Sequence, residues 1–345
     1  MKKISLLLFT VLLLGSFSCR NKKIEFPNFD YTTVYFPYQA PVRTLVLGDY
    51  EYNNANENDN SLNFLISAHM GGVYQNNSDR IVNFIIDTSL GKKLMTSTGD
   101  TIVALPSSYY AINPLNQFVI PKGDLYAGFS VQLTDAFLDD TMAYKTHYVI
   151  PVRITSSSLD SVLSGKPNVD NPNPDRRVAS DWIVVPKDYT LFGIKYINPY
   201  DGNYLHRGID IRKDINMVPI DTVIYHTQYV ETDEIWNLKT IGRNKVTIVG
   251  NVRVASGTSP GSLKMDLNFD ANGSCVITNN PASAFVITGT GKFAKDADEW
   301  GGKKRDAIYL NYQIKVAATN HVVSDTLVIR DRGVTFESFI PVVIK

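Results

Sequence analysis

Apolar and polar residues alternate over short runs almost from end to end, and clusters of Gly, Pro, Asn and Asp separate the runs. An amphipathic stretch with helical spacing is missing, so the pattern predicts an all-β protein. In the first half it predicts strands at Thr33 to Tyr38, Arg43 to Leu47, Leu62 to Ser67, Ile81 to Asp87, Gln117 to Ile120, Tyr126 to Leu133 and His147 to Ile154. This spacing suits a β-sandwich. A second series runs through Val218 to Glu231, Lys245 to Ala255, Lys264 to Phe269, Ala284 to Thr288, Ala307 to Val316, Asp325 to Arg330 and Thr335 to Ile344. About eight antiparallel strands in roughly 145 residues fit a closed barrel, which leaves no unpaired edge, or a second sandwich.

Two polar segments punctuate this pattern. Asn53 to Asn60 reads NNANENDN, carries too little apolar surface to bury, and is expected to be a solvated loop. Its carboxylates lack the spacing of a calcium loop. Ser164 to Arg177 has the look of a linker, but the strand signal of Trp182 to Ile197 after it can pair back with the strand before it. The domain boundary is therefore placed near Asn198-Pro199, giving a sandwich over 31–197 and a barrel over 198–345.

The amino terminus adds a cellular address. Lys2 and Lys3, the apolar run Ile4 to Leu14 and the small-residue approach Gly15 to Ser18 form a secretory signal over 1–18. The apolar run falls short of the roughly 20 residues that span a bilayer. Cys19 follows directly, as the lipidation site of a bacterial lipoprotein does, and 19–30 then serve as a tether; an ordinary secretory signal is the alternative. The 34 Lys and Arg balance the 34 Asp and Glu, so no global field recruits nucleic acid. With Cys19 acylated, Cys275 has no disulfide partner, and its place at a turn entering a strand marks a buried structural thiol.

Several phrases together resemble a known family. Gly71-Gly72-Val73-Tyr74, Leu105-Pro106-Ser107-Ser108-Tyr109-Tyr110, Val119-Ile120-Pro121-Lys122-Gly123 and Tyr148-Val149-Ile150-Pro151-Val152-Arg153 resemble the immunoglobulin-like amino-terminal domain of two-domain Bacteroidota surface lipoproteins. Asp201-Gly202-Asn203-Tyr204, Trp300-Gly301-Gly302-Lys303 and Leu327-Val328-Ile329-Arg330-Asp331 resemble that family's lipocalin-like carboxy-terminal domain. The resemblance implies an immunoglobulin-like sandwich followed by a lipocalin-like antiparallel β-barrel. It also implies kinship with accessory glycan-binding lipoproteins of Sus-type outer-membrane importers, with transporter components as partners. Display on the extracellular face follows from it, although the basic Arg20-Asn21-Lys22-Lys23 after the lipid cysteine fits a periplasmic face as well.

The chain carries no HExxH, GxSxG, Walker or dinucleotide-binding motif, and its five histidines are scattered, so no enzyme activity, metal or cofactor is expected. The 19 Tyr, 16 Phe and 3 Trp suit sugar stacking, although most must be core. Trp300, among glycines and charges, and Trp236, after Glu231-Thr232-Asp233-Glu234, are read as loop-borne rings and as the candidate glycan platform. The alternative for each is a ring that plugs the barrel. Two other roles compete with glycan capture: carrying a small hydrophobe inside the barrel, and scaffolding without a small ligand.

Overall fold

The computed structural model describes residues 27–49, 56–168, 171–257 and 259–344. Cys19 and the secretory signal lie outside them. Two β units follow one another, as the alternation predicts.

The first unit is a sandwich. One sheet holds β1 (Thr33–Tyr35), β3 (Asn63–Gly71), β7 (Tyr110–Asn113), β9 (Tyr126–Leu133) and β11 (Ser161–Val162) in the order β11-β1-β3-β9-β7. The facing sheet is built on β2 (Pro41–Val46), β14 (Tyr189–Ile197), β10 (Tyr148–Ser157), β6 (Thr101–Ala104) and β5 (Leu94–Thr96). β4 (Arg80–Ile86) also pairs with β10 and with β8 (Gln117–Ile120). As the sequence indicates, β14 pairs back onto β10, from Tyr148↔Ile194 to Arg153↔Tyr189. Alternate residues of the two sheets, Val34, Ile66 and Val131 against Leu45, Ile150 and Val152, meet in a core where Phe84 stacks on Phe129 at 4.1 Å. The polar stretch between the two pairing strands carries a small ribbon, β12 (Lys166–Pro167) with β13 (Trp182–Val184).

The second unit runs β15 (Gly202–Lys213), β16 (Pro219–Tyr225), β17 (Glu234–Gly242), β18 (Lys245–Asn251), β19 (Ser262–Phe269), β20 (Ser274–Asn279), β21 (Val286–Trp300), β22 (Lys303–Val316) and β23 (Thr319–Asp331). Successive strands from β17 onward pair antiparallel, and β23 returns to β15 from Asn203↔Asp331 to Lys213↔Asn320. That last pairing closes an eight-stranded barrel, with β16 as a flap on the far half of β15. The longest hairpin turns on Gly301 and Gly302, whose φ of 60° and 69° give the two positive values that a type I′ turn needs.

The final segment departs from the expected barrel over 198–345. Beyond Asp331 the chain leaves the barrel, and β24 (Glu337–Ser338) pairs with β2 while β25 (Pro341–Val343) pairs with β5. The reason is apolar burial: Phe339 and Val343 pack on Leu90, Leu94, Ile102, Val149, Tyr189 and Leu191 on the outside of the second sandwich sheet. The sandwich is thus completed by residues from the end of the chain.

Arg332 stands where the chain crosses. It is 5% exposed and donates to the carbonyls of Leu47 at 3.2 Å, Asp49 at 3.0 Å and Asn198 at 2.6 Å. Asn198, fully buried, carries the junction into the barrel through Nδ2 bonds to Gly242 O and Lys245 O, each 3.0 Å. Removing the guanidinium leaves several buried carbonyls without a donor, at about 1 to 3 kcal/mol for each unsatisfied group. An Arg332→Ala variant is expected to melt in two separate calorimetric transitions where the parent melts in one. A single transition at the parent temperature would show that the junction does not depend on this residue.

Candidate functional site

A groove of about 450 Å³ opens along one side of the sandwich, within the size range of small-ligand pockets. Its position follows from the shortness of β1, which covers β3 only from His69 to Gly71. The bonds Leu133 N→Leu62 O and Met70 N→Leu125 O fix which residues of β3 face β9. By antiparallel alternation the backbone groups of Leu65 and Ser67 then point the other way, past the end of β1 and into the groove. Val42, Thr44, Thr190 and Phe192 of the second sheet form the opposite wall. The Phe36-Pro37-Tyr38 turn and the tail residues Val334 to Phe336 close the ends.

Two rings stand at the mouth. Tyr38 is 56% and Phe336 68% exposed, and their centroids lie 5.1 Å apart at 48°. Farther in, Phe192 stacks on Phe64 at 5.6 Å, while on the outer face His69 stacks on the exposed Tyr126 at 5.3 Å. Partial burial lowers the pKa of His69, so its ring is neutral near pH 7. Thr190 is 1% exposed, faces inward beside Val152, and its hydroxyl oxygen has no hydrogen-bond partner in the protein; Thr44, 6% exposed and likewise unpartnered, points to the other face of the sheet beside Lys195. Among the described lining residues there is no carboxylate, and the one cation, Arg43, is held by Asp59. Asp59 is 3% exposed and also accepts from Val46 N at 2.9 Å. This corrects the expectation of a solvated Asn53 to Asn60 loop: its end folds into a four-residue helix, α1 (Glu57–Asn60), whose Asp59 turns inward to pair with Arg43 and to accept from the buried Val46 amide.

The two expected platform rings lie elsewhere. Trp236 is not on a loop but inside the barrel on β17, 6% exposed, with His206 3.7 Å from its ring centre. Gly250 makes room for it, since a Cβ there would meet the indole at 2.6 Å. Trp300 ends β21 and is half-buried; its Nε1 donates to Ile329 O at 2.9 Å, and the Arg305 guanidinium covers one face at 4.1 Å. Trp300 and Trp236 are therefore not brought together as an open platform. The barrel interior holds Tyr204, Trp236, Met265, Phe269, Tyr312 and their neighbours as a packed core. A hydrophobe carried inside would need that space. Cys275 is buried there, and burial pushes its thiol up to about 12, as a structural thiol requires.

Tyr38, Phe336, Thr44 and Thr190 were missed by sequence reasoning. Phe336 was assigned to a barrel strand, and only pairing of the tail with β2 brings it to Tyr38. The one local signal was Tyr38 itself, lying between Pro37 and Pro41, where no central strand can run.

Fold and groove together define a two-domain β protein with a ligand-sized recess beside the junction of its units. The model of a domain of unknown function, DUF5627, matches residues 199–333, and a model of an amino-terminal domain matches 28–161. The crystal structure of a protein of unknown function from Bacteroides ovatus is 36% identical, with a TM-score of 0.83 over 91% of this chain and 100% of that one. The chain belongs to this two-domain Bacteroidota family, whose second unit is DUF5627. A multidomain protein including DUF1735 from Bacteroides ovatus is 11% identical, with a TM-score of 0.42 over 88% of this chain and 97% of that one. An auxiliary nutrient binding protein from Bacteroides thetaiotaomicron is 13% identical, with a TM-score of 0.37 over 84% and 90%. No curated protein matches the chain.

One end of the barrel carries a buried ionic network. His206, 1% exposed, bonds Glu234 through Nδ1 at 2.5 Å, and its Nε2 lies 3.1 Å from Asp325 as a charge contact. Asp325 also accepts from the hydroxyls of Tyr312, at 2.7 Å, and Tyr225. Burial works to lower the His206 pKa, but the Asp325 and Glu234 carboxylates outweigh it and the value is raised above 6.5. For Glu234 burial acts upward, and His206 and Arg253 prevail, bringing it to about 2. The stabilisation from a protonated His206 is complete below its unfolded pKa of 6.5 and is lost as pH rises through the higher folded value. That from Glu234 is complete above 4.5 and is lost as pH falls toward 2. Thermal melts from about pH 5 to about pH 9 are expected to show a midpoint that declines on the alkaline side, and His206→Gln is expected to flatten that decline. An unchanged decline would place its origin elsewhere.

Proposed function

We propose that this protein is a non-catalytic, lipid-anchored binding protein of the outer membrane, tethered through Cys19, that captures a glycan for a Sus-type importer. The groove of the sandwich is the platform, in place of the barrel tryptophans. The observation that carries this reading is the pairing of two exposed rings, Tyr38 and Phe336, with a buried and unpartnered hydroxyl, that of Thr190, and the free β3 edge in one recess. Sugars present an apolar C–H face and a rim of hydroxyls, so they match rings and polar atoms held side by side. The open β3 edge at Leu65 and Ser67 adds backbone donors and acceptors for the same rim.

A second reading, an extended peptide that adds to the β3 edge as a strand, is favoured by that edge alone. It makes no use of the Thr190 hydroxyl.

The test is a glycan-array screen of the full chain beside Tyr38→Ala and Phe336→Ala. Loss of one stacked ring is expected to weaken binding about tenfold or more, taking roughly 1 to 3 kcal/mol per ring as for aromatic stacking of planar ligands, while Trp300→Ala leaves it unchanged. Binding that survives both groove variants and vanishes in Trp300→Ala would return the platform to the barrel; absence of any glycan binding would reject the reading.

A further inference from the structure

A second recess of about 330 Å³ lies between the two units and shares Thr44 and Val334 with the groove. Its chemistry is different. Beside the one ring of Tyr144 it offers the charged side chains of Asp201, Lys239, Lys195 and Glu337. Lys195 and Glu337 close on each other at 2.7 Å. Asp201 and Lys239 do not: Asp201 Oδ1 lies 3.8 Å from Lys239 Nζ, beyond hydrogen-bond reach. Asp201 is 3% exposed and is fixed by bonds from Thr240 N at 2.6 Å and Thr240 Oγ1 at 2.8 Å to its other oxygen, Oδ2. A rigid carboxylate oxygen with an exposed, adaptable ammonium 3.8 Å away can take one hydroxyl that donates to the first and accepts from the second.

We propose that the groove and this recess are two subsites of one site, and that the ligand is an oligosaccharide long enough to reach both. One sugar stacks on Tyr38 and Phe336. A later unit, beyond the Thr44–Val334 seam, places a hydroxyl between Asp201 and Lys239. The proposal rests on the glycan reading above and adds a length requirement: mono- and disaccharides fill the groove alone, and longer chains gain the polar subsite. The second subsite is made by both units, with Asp201 and Lys239 from the barrel and Lys195 from the sandwich.

The experiment is calorimetric titration of the full chain with a graded series, disaccharide to hexasaccharide, of the glycan backbone that scores on the array, using the parent, Lys239→Ala and Phe336→Ala. Lys239 is mostly exposed and its ion contact is long, so Lys239→Ala is expected to melt like the parent. The parent is expected to bind the longer chains about tenfold more tightly than the disaccharide, equivalent to about 1.4 kcal/mol. Lys239→Ala should abolish that gain without changing disaccharide affinity, whereas Phe336→Ala should weaken every length. Affinity independent of length, or an equal loss at all lengths in Lys239→Ala, overturns the two-subsite proposal and leaves glycan binding standing. No binding at any length overturns both.

Discussion

The geometry of the junction turns on one buried cation. Arg332 sits at the point where the chain leaves the barrel, and its guanidinium reaches Leu47 and Asp49 of the sandwich as well as the Asn198 carbonyl between the units. A guanidinium offers five donors in a planar fork, so one residue can hold several carbonyls that would otherwise be buried without partners. The direction in which the tail departs is set there. Four residues later Phe336 arrives beside Tyr38, and Glu337 begins the pairing with β2. The groove therefore depends on a contact that touches none of its rings.

The barrel is a rigid support on its own terms. Closure of β23 on β15 removes its free edges apart from the β16 flap. Its interior is filled by large rings, with glycines where those rings approach facing strands, and by the His206–Asp325–Glu234 network at one end. Such a network specifies one arrangement of its members, because each alternative leaves a charge or a hydroxyl buried without a partner. A barrel filled in this way has surfaces and rims to offer a ligand, and its lumen is committed to packing.

Much of this was legible in the sequence. Period-two alternation located most strands, and Gln117 to Ile120 and Tyr126 to Leu133 match β8 and β9 end to end. The barrel and its antiparallel order were also legible, because hairpins join neighbours in sequence. The platform was not. Acidic neighbours made Trp236 look like a loop residue, yet Asp233 and Glu234 pair with Arg207 and His206, and the alternation Trp236, Leu238, Thr240 points inward. Trp300 was read from its charged and glycine-rich surroundings, which turn out to be the tip of a tight hairpin with an arginine on the ring. The groove joins Tyr38 to Phe336 through a chain reversal of almost the whole molecule, and no local pattern encodes a pairing of that range.

The character of the groove follows from what its buried hydroxyl lacks. A hydroxyl buried without a partner costs on the order of 1 to 3 kcal/mol, and Thr190 places one on the inner wall of the recess. A purely apolar ligand would cover the rings and leave that cost in place. A strongly charged ligand would find no free counter-charge, since Arg43 is held by Asp59 and His69 is neutral. A ligand with an apolar face and a hydroxyl rim satisfies the rings, the Thr190 hydroxyl and the open β3 edge together, and the recovered hydrogen bonds add to the stacking. Saccharides have that division of surface, and the groove is complementary to it.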